Sequence, residues 1–173
     1  MSICIYPGSF DPVTNGHLDI LDRALAVFPN ITLVVAGTGQ KNPLFTPEER
    51  VEILKEVVKD RKGVKVDRWP GLIMEYASKN KINAVIRGLR AASDFEYEFM
   101  MASMNKKIHP EVETLFMMTG QNFFFVSSSM VKELARYHGD ISPYVPQLVV
   151  DALREKNIQF DGVPSMKKRN KKS

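Results

Sequence analysis

Short strand-like runs alternate along the chain with segments of helical periodicity, and that alternation narrows the available folds more than any other feature. Ser2–Tyr6 and Ile31–Ala36 are apolar and rich in β-branched residues, as strands buried on both faces are. Val64–Trp69, Ala84–Ile86 and Thr114–Met118 supply three more strands. Pro7-Gly8-Ser9-Phe10-Asp11-Pro12 breaks the first strand. Leu18, Leu21, Leu25 and Phe28 then mark a helix, capped by Thr14 or Asn15 and ended by Pro29-Asn30. Thr46-Pro47-Glu48-Glu49 opens a second helix running to about Lys59, with threonine as the cap, proline at the first helical position and Glu49 completing a capping box. Further helices are expected over Leu72–Asn80, from Ser93 or Asp94 to about Lys106, from a Ser127–Ser129 cap to about Tyr137, and over Pro146–Asn157. The order predicts an α/β fold: a single-domain, doubly wound, Rossmann-like five-stranded parallel sheet with helices on both faces.

A chain of 173 residues can bury such a core without disulfides or metals. Its one cysteine, Cys4, lies in an apolar run and reads as a small buried hydrophobe, which fits a reducing, cytoplasmic setting. No run approaches the roughly 18 apolar residues of a membrane span, and the N-terminus lacks the pattern of a signal peptide. The formal charge of +4 is carried by Lys167, Lys168, Arg169, Lys171 and Lys172 against Asp161. The rest of the chain is neutral, so the sequence divides into a folded domain, 1–159, and a basic tail, 160–173, expected to be solvated and disordered. Nucleic acid and membrane are therefore not expected partners. His109 and His138 have no metal-ligand spacing with carboxylates or Cys4, so no protein-bound metal is expected.

Ligands of open α/β sheets bind beyond the carboxyl ends of the strands. Pro7–His17, Gly37–Pro43, Leu72–Ile73, Arg87–Arg90 and Thr119–Ser129 fall there. The first segment says most. Gly8 permits close backbone approach, Ser9 offers a hydroxyl, and Gly16 leaves room at the helix start. His17 falls in the first helical turn, where unpaired N–H groups and the helix dipole already favour an anion. An imidazole there can donate to a phosphate whose charge grows in a transition state. A lone histidine at a helix surface would have the same local sequence, so further residues must carry the argument.

Thr14-Asn15-Gly16-His17 resembles the T/H-x-G-H motif of the nucleotidyltransferase superfamily. Val126-Ser127-Ser128-Ser129, with Lys132 beyond it, resembles that superfamily's second signature. Together with Tyr6–Pro12, Phe45–Arg50, Ile86–Arg90 and Asp94–Glu98, these stretches resemble the bacterial phosphopantetheine adenylyltransferase family over residues 2 to about 157. The resemblance implies transfer of the adenylyl group of MgATP to 4′-phosphopantetheine, giving dephospho-coenzyme A and pyrophosphate, the penultimate step of coenzyme A synthesis. It implies direct in-line attack, Mg2+ carried by ATP rather than by protein side chains, and a hexamer.

By the same resemblance, Ser9, Lys41, Ile73 and Arg87 bind the phosphopantetheine arm. Ser9, Phe10, His17, Gly88, Leu89, Arg90 and Glu98 bind ATP, as does the run Phe123, Phe124, Phe125, Val126, Ser127, Ser128 and Ser129. His17, Lys41 and Arg90 are the catalytic set, with His17 stabilising the transition state. Blander roles stand beside these. Lys41 suits a solvated loop, Glu98 suits helix electrostatics, and Met100, Met101 and Met104 suit a core or an interface. Trp69 and Phe123–Phe125 are expected to pack rather than stack on a base. Ser9 stands where the family commonly has threonine, and Phe123 where it often has tryptophan or tyrosine. Nicotinate-mononucleotide adenylyltransferase and glycerol-phosphate cytidylyltransferase share the first motif, but Lys41 and Arg87 in their matching stretches argue against both. A nucleotide-sensing or RNA-binding protein anchored by the tail is the non-enzymatic rival, and its binding would be strongly salt-dependent.

Overall fold

The computed structural model describes residues 4–37, 43–90 and 92–156. The elements run β1 (Cys4–Gly8), α1 (Asn15–Leu25), β2 (Ile31–Ala36), α2 (Pro47–Val58), β3 (Val64–Trp69), α3 (Ile73–Lys79), β4 (Ala84–Leu89), α4 (Ala92–Ile108), β5 (Glu113–Met118), α5 (Ser128–Arg136) and α6 (Gln147–Glu155). All strand pairs are parallel and the sheet order is β3-β2-β1-β4-β5. This is the doubly wound α/β sheet that the alternation predicts.

Successive side chains of the central strands go to opposite faces, and each face has its own core. Cys4, Tyr6, Leu33, Val35 and Ile86 pack with Leu21 of α1, Leu54 of α2, Val131 of α5 and Val149 of α6. Ile5, Val34 and Val85 pack on the other face with Met74, Tyr76 and Ala77 of α3. Leu21 and Leu54 are completely buried. Truncating either to alanine would leave a cavity costing about 2–5 kcal/mol. Cys4 is also fully buried, and burial pushes its thiol up to about 12.

The edges of two strands differ from the sequence expectation, and both differences shape the site. The first strand was expected to stop at Tyr6, but β1 continues through Pro7 and Gly8, which pair with Val34 and Val35. Against β4, however, β1 is paired only at Cys4↔Ala84 and Ile5↔Val85. Pro7 has no N–H to donate, and its carbonyl accepts from Arg87 Nη1 at 3.0 Å. The two halves of the sheet therefore part at their carboxyl ends, at the switch in strand order, where α/β proteins place ligands. The fourth strand was expected to end at Ile86, but it runs to Leu89, because β5 keeps pairing with it as far as Leu89↔Met118. Arg87 and Gly88 are thus strand residues and not loop residues.

Helix α4 stands apart. Its described side chains belong to neither core, and Phe95, Phe99, Met100 and Met104 are exposed, as are Leu115 and Met118 of β5. Met100, Met101 and Met104 do not form a core within this chain. No helix among the described residues is long and apolar enough to cross a membrane.

Candidate active site

A cavity of about 420 Å3 opens where β1 and β4 part. The loop after β1, the first turn of α1, the end of β4, the inner face of α4 and the start of α5 line it.

The α1 wall is built from a capping box. Thr14 is the N-cap; its side chain accepts from the His17 amide, and the His17 side chain accepts from the Thr14 amide. The Thr14 N–H lies 3.0 Å from His17 Nδ1 and Thr14 Oγ1 lies 2.9 Å from it. A backbone N–H can only donate, so Nδ1 is the acceptor and the neutral ring carries its proton on Nε2. Burial lowers the His17 pKa to about 4, helped by the nearby Arg90 and Arg87 charges. The ring packs edge-on against Phe10, centroid to centroid 5.2 Å. His17 is therefore a neutral, orientationally fixed imidazole on the cavity wall with Nε2–H as its donor.

Glycines let this wall sit close. A Cβ on Gly88 would lie 2.4 Å from Ile20 Cδ1, so the bare backbone of β4 seats α1 as well as facing the cavity. A Cβ on Gly8 would lie 3.0 Å from the Phe10 ring, which folds back beneath it with Phe10 at φ 47°. The close approaches at both glycines are thus made by the protein's own side chains.

The α4 wall carries paired charges. Arg87 donates Nε to Glu98 Oε2 at 2.7 Å and Nη2 to Oε1 at 2.5 Å. Burial opposes the Arg87 charge, but the Glu98 carboxylate outweighs it and raises the pKa above the ordinary value. Arg90 donates Nε and Nη2 to Asp94 at 2.9 and 3.1 Å, and the Arg90 amide donates to the same carboxylate. Tyr97, between the two acids in sequence, also lines the cavity.

The third wall is the start of α5. Ser127 caps the helix, accepting from the Met130 amide, and Ser128 Oγ donates to the Pro12 carbonyl at 2.8 Å. Lys132 Nζ lies 2.7 Å from Asp11, whose carboxylate also accepts from the Leu44 and Phe45 amides. The exposed amides of a helix start, beside three cations, suit a polyphosphate.

Ser9, His17, Arg87, Gly88, Arg90, Glu98, Val126, Ser127, Ser128 and Ser129 thus line one cavity. Other expected site residues do not. Phe10 and Leu89 are buried behind the wall, and Phe123 packs on the first core and against Gly16. Ile73 packs beside Trp69 on the second core. Phe124 and Phe125 were expected to pack, but both are largely exposed, touching each other and, through Phe125, Tyr144. They sit in the turn before α5, and among the described residues neither belongs to either core. Lys41 lies outside the described residues. Asp11, Asp94, Tyr97, Thr119 and Lys132 also line the cavity; each falls in a strand-end segment, a matched stretch or beside the second signature, but none carries an individual binding or catalytic role in the sequence analysis. Asp11 had a signal, since it falls in the stretch between Gly8 and Thr14 that the fold places at the site.

The cytidylyltransferase-like family model matches residues 5–134. The chain is 51% identical over 156 residues to the phosphopantetheine adenylyltransferase of Caldanaerobacter subterraneus subsp. tengcongensis, covering 90% of this chain and 98% of that protein. It is 51% identical over 156 residues to the enzyme of the same name from Desulforudis audaxviator, covering 90% and 96%. With that of Alkaliphilus metalliredigens the identity is 45% over 157 residues, covering 91% and 100%.

Proposed function

Because this chain belongs to the phosphopantetheine adenylyltransferase family of cytidylyltransferase-like proteins, we propose that it transfers the adenylyl group of ATP to 4′-phosphopantetheine, releasing pyrophosphate and forming dephospho-coenzyme A. The observation that supports this most is the neutral His17, fixed by the Thr14 amide in the first turn of α1 and sharing one cavity with Arg87, Arg90 and the start of α5.

In this reading the acceptor phosphate attacks the α-phosphorus of ATP in line. The P–O bond to the β-phosphate breaks, and pyrophosphate carries off the electron pair. His17 Nε2–H donates to an α-phosphate oxygen as its charge grows. Ser9, Lys41 and Arg87 hold the acceptor phosphate; Arg90 and the Ser127–Ser129 helix start hold the β- and γ-phosphates. No protein nucleophile is required. The Cys4 thiol is buried with its pKa near 12, and the Ser127 hydroxyl is spent on its helix cap. Positioning and electrostatics then carry the rate.

Mg2+ would come bound to ATP and would supply neutralisation of phosphate charge. The carboxylates lining the cavity fit that role better than direct ligation, because Asp11, Asp94 and Glu98 are each engaged by a cation. Among the described residues no group of three or more His, Cys, Asp and Glu could hold a metal ion. The exposed apolar residues of α4 and β5 support a homo-oligomer, for which the proposal is the hexamer that the resemblance implies, and the buried thiol suits the cytoplasm.

The test is direct. Incubated with MgATP, the protein should release pyrophosphate with 4′-phosphopantetheine and hardly any with nicotinate mononucleotide. Equal turnover of the two acceptors would defeat the substrate assignment, and sedimentation as a monomer would defeat the oligomer.

A further inference from the structure

Asp11 plays no part in the reaction scheme above, yet two cavity-lining segments, its own loop and the start of α5, meet at its carboxylate together with the segment before α2. The side chain is buried to 1% exposure. Oδ1 accepts from the Phe45 amide at 2.8 Å, and Oδ2 accepts from the Leu44 amide at 3.0 Å and from Lys132 Nζ at 2.7 Å. The neighbouring Pro12 carbonyl accepts from Ser128 Oγ. Ser128 and Lys132 are four residues apart on α5, so they share one helix face, and that face is docked on the Asp11-Pro12 turn. Arg50, itself buried, ties the same turn from below by donating to the Ser9 carbonyl at 2.8 Å.

Lys132 lines the cavity and its side chain is only 15% exposed. An ammonium has three donors. Asp11 takes one, and no other group among the described residues is within hydrogen-bonding distance of Nζ. A lysine on a flexible four-carbon stem would otherwise sample many rotamers. Burial would raise the Asp11 carboxyl pKa, but Lys132 and the two amides outweigh burial and hold it below its ordinary value. Asp11 is thus an anion near neutral pH, able to neutralise the ammonium and to aim it.

We propose that Asp11 is a positioning residue: its carboxylate fixes the Lys132 ammonium against the cavity wall, where that ammonium contacts the triphosphate of the bound nucleotide. The identity of the ligand rests on the nucleotidyl-transfer reading; the positioning rests on the contacts just given.

A double-mutant cycle tests this. Asp11→Asn and Lys132→Met should each lower kcat/KM for ATP by about a hundredfold, the effect of one lost phosphate donor. If Asp11 acts through Lys132, the double variant should be no more than about threefold worse than Lys132→Met alone, and KM for the acceptor should stay within about threefold throughout. Additive losses of about 10⁴, or an Asp11→Asn protein with near-parental kcat/KM, would overturn the proposal. Should Asp11→Asn fail to fold, the parent protein still answers. With 15N-labelled lysine, and Lys132→Arg to assign the signal, a slowly exchanging Lys132 ammonium should be visible without ligand and should shift on adding ATP. Absence of that signal, or no shift at saturating ATP, would overturn the proposal. An ammonium that responds to ATP in a protein releasing no pyrophosphate with phosphopantetheine would sink the acceptor assignment and support the positioning.

Discussion

On the α1 side of the cavity, His17 is fixed by a backbone amide, packed against Phe10 and held neutral by burial. On the α4 side, Arg87 and Arg90 are fixed by side-chain carboxylates, Glu98 and Asp94, and remain a third or more exposed. The difference matters for anion chemistry. A donor anchored to backbone needs no rearrangement when charge develops on the substrate, which is where electrostatic catalysis is strongest. Fully exposed ion pairs are worth about 0–1 kcal/mol, and because water still reaches both arginines, a substrate phosphate can compete with the carboxylates for them. One wall suits the transition state, and the other suits exchange of anionic substrates.

Removing the fixed donor should give the largest effect. His17→Ala should lower turnover at least a hundredfold, about 3–4 kcal/mol of barrier. ATP affinity by calorimetry should stay within about tenfold, because backbone amides still bind the ground state. The capping box would lose one partner, so a stability loss of about 1 kcal/mol is also expected in the melting temperature. If the variant keeps more than about a third of parental turnover, the α1 wall is a binding surface only, and its contrast with α4 disappears.

Next in size is the seam between the walls. Gly88→Ala would drive a methyl to within 2.4 Å of Ile20 Cδ1. Overpacking of that kind costs about 1–3 kcal/mol, read as a lower melting temperature. An unchanged melting temperature would show that Ile20 swings its Cδ1 aside, and the seam at Gly88 would then not be what holds α1, and His17 with it, against β4.

How far the sequence foretold these walls depends on what held each residue. The α1 and α2 starts were legible because caps are local: Thr14, Thr46, Pro47 and Glu49 act within four residues. The ends of β1 and β4 were not, because they depend on where neighbouring strands stop pairing, which is tertiary information. Ten of the expected site residues line one cavity, whereas Phe10 and Leu89 turned inward and Ile73 joined the other core. The engagement of Arg87 by Glu98 joins residues on β4 and α4 and has no mark in either segment alone. The partners of Asp11, thirty-three and more residues away, were equally invisible.

A milder change sharpens the account of the α4 wall. Glu98→Gln keeps the shape but removes the charge that competes for Arg87. Since the pair is partly exposed, the acceptor should bind tighter by no more than about fivefold. Acceptor KM in pyrophosphate-release assays reads this out. A KM more than about tenfold higher would mean that Glu98 aims Arg87 as firmly as the Thr14 amide aims His17, and the two walls would then be alike.

The smallest expected effect is an absence of titration. A histidine in water changes charge near pH 6.5. In the folded protein the His17 pKa is lowered to about 4 by burial, with the Arg90 and Arg87 charges acting in the same direction. The sign follows from which state holds the proton. Between pH 6.5 and 4 the unfolded chain protonates this ring and the folded chain does not, so the stability due to His17 is present above pH 6.5 and is lost as pH falls toward 4. In the native protein its Cε1 proton resonance, assigned by its absence from His17→Ala, should stay constant from pH 8 to about pH 5.5 and move only near pH 4. A midpoint near 6.5 would break the contrast at its root. Protonation at that pH puts a hydrogen on Nδ1 facing the Thr14 N–H, which cannot accept it. The capping box would then have to open within the physiological range, leaving His17 held no more firmly than the exchangeable pairs across the cavity.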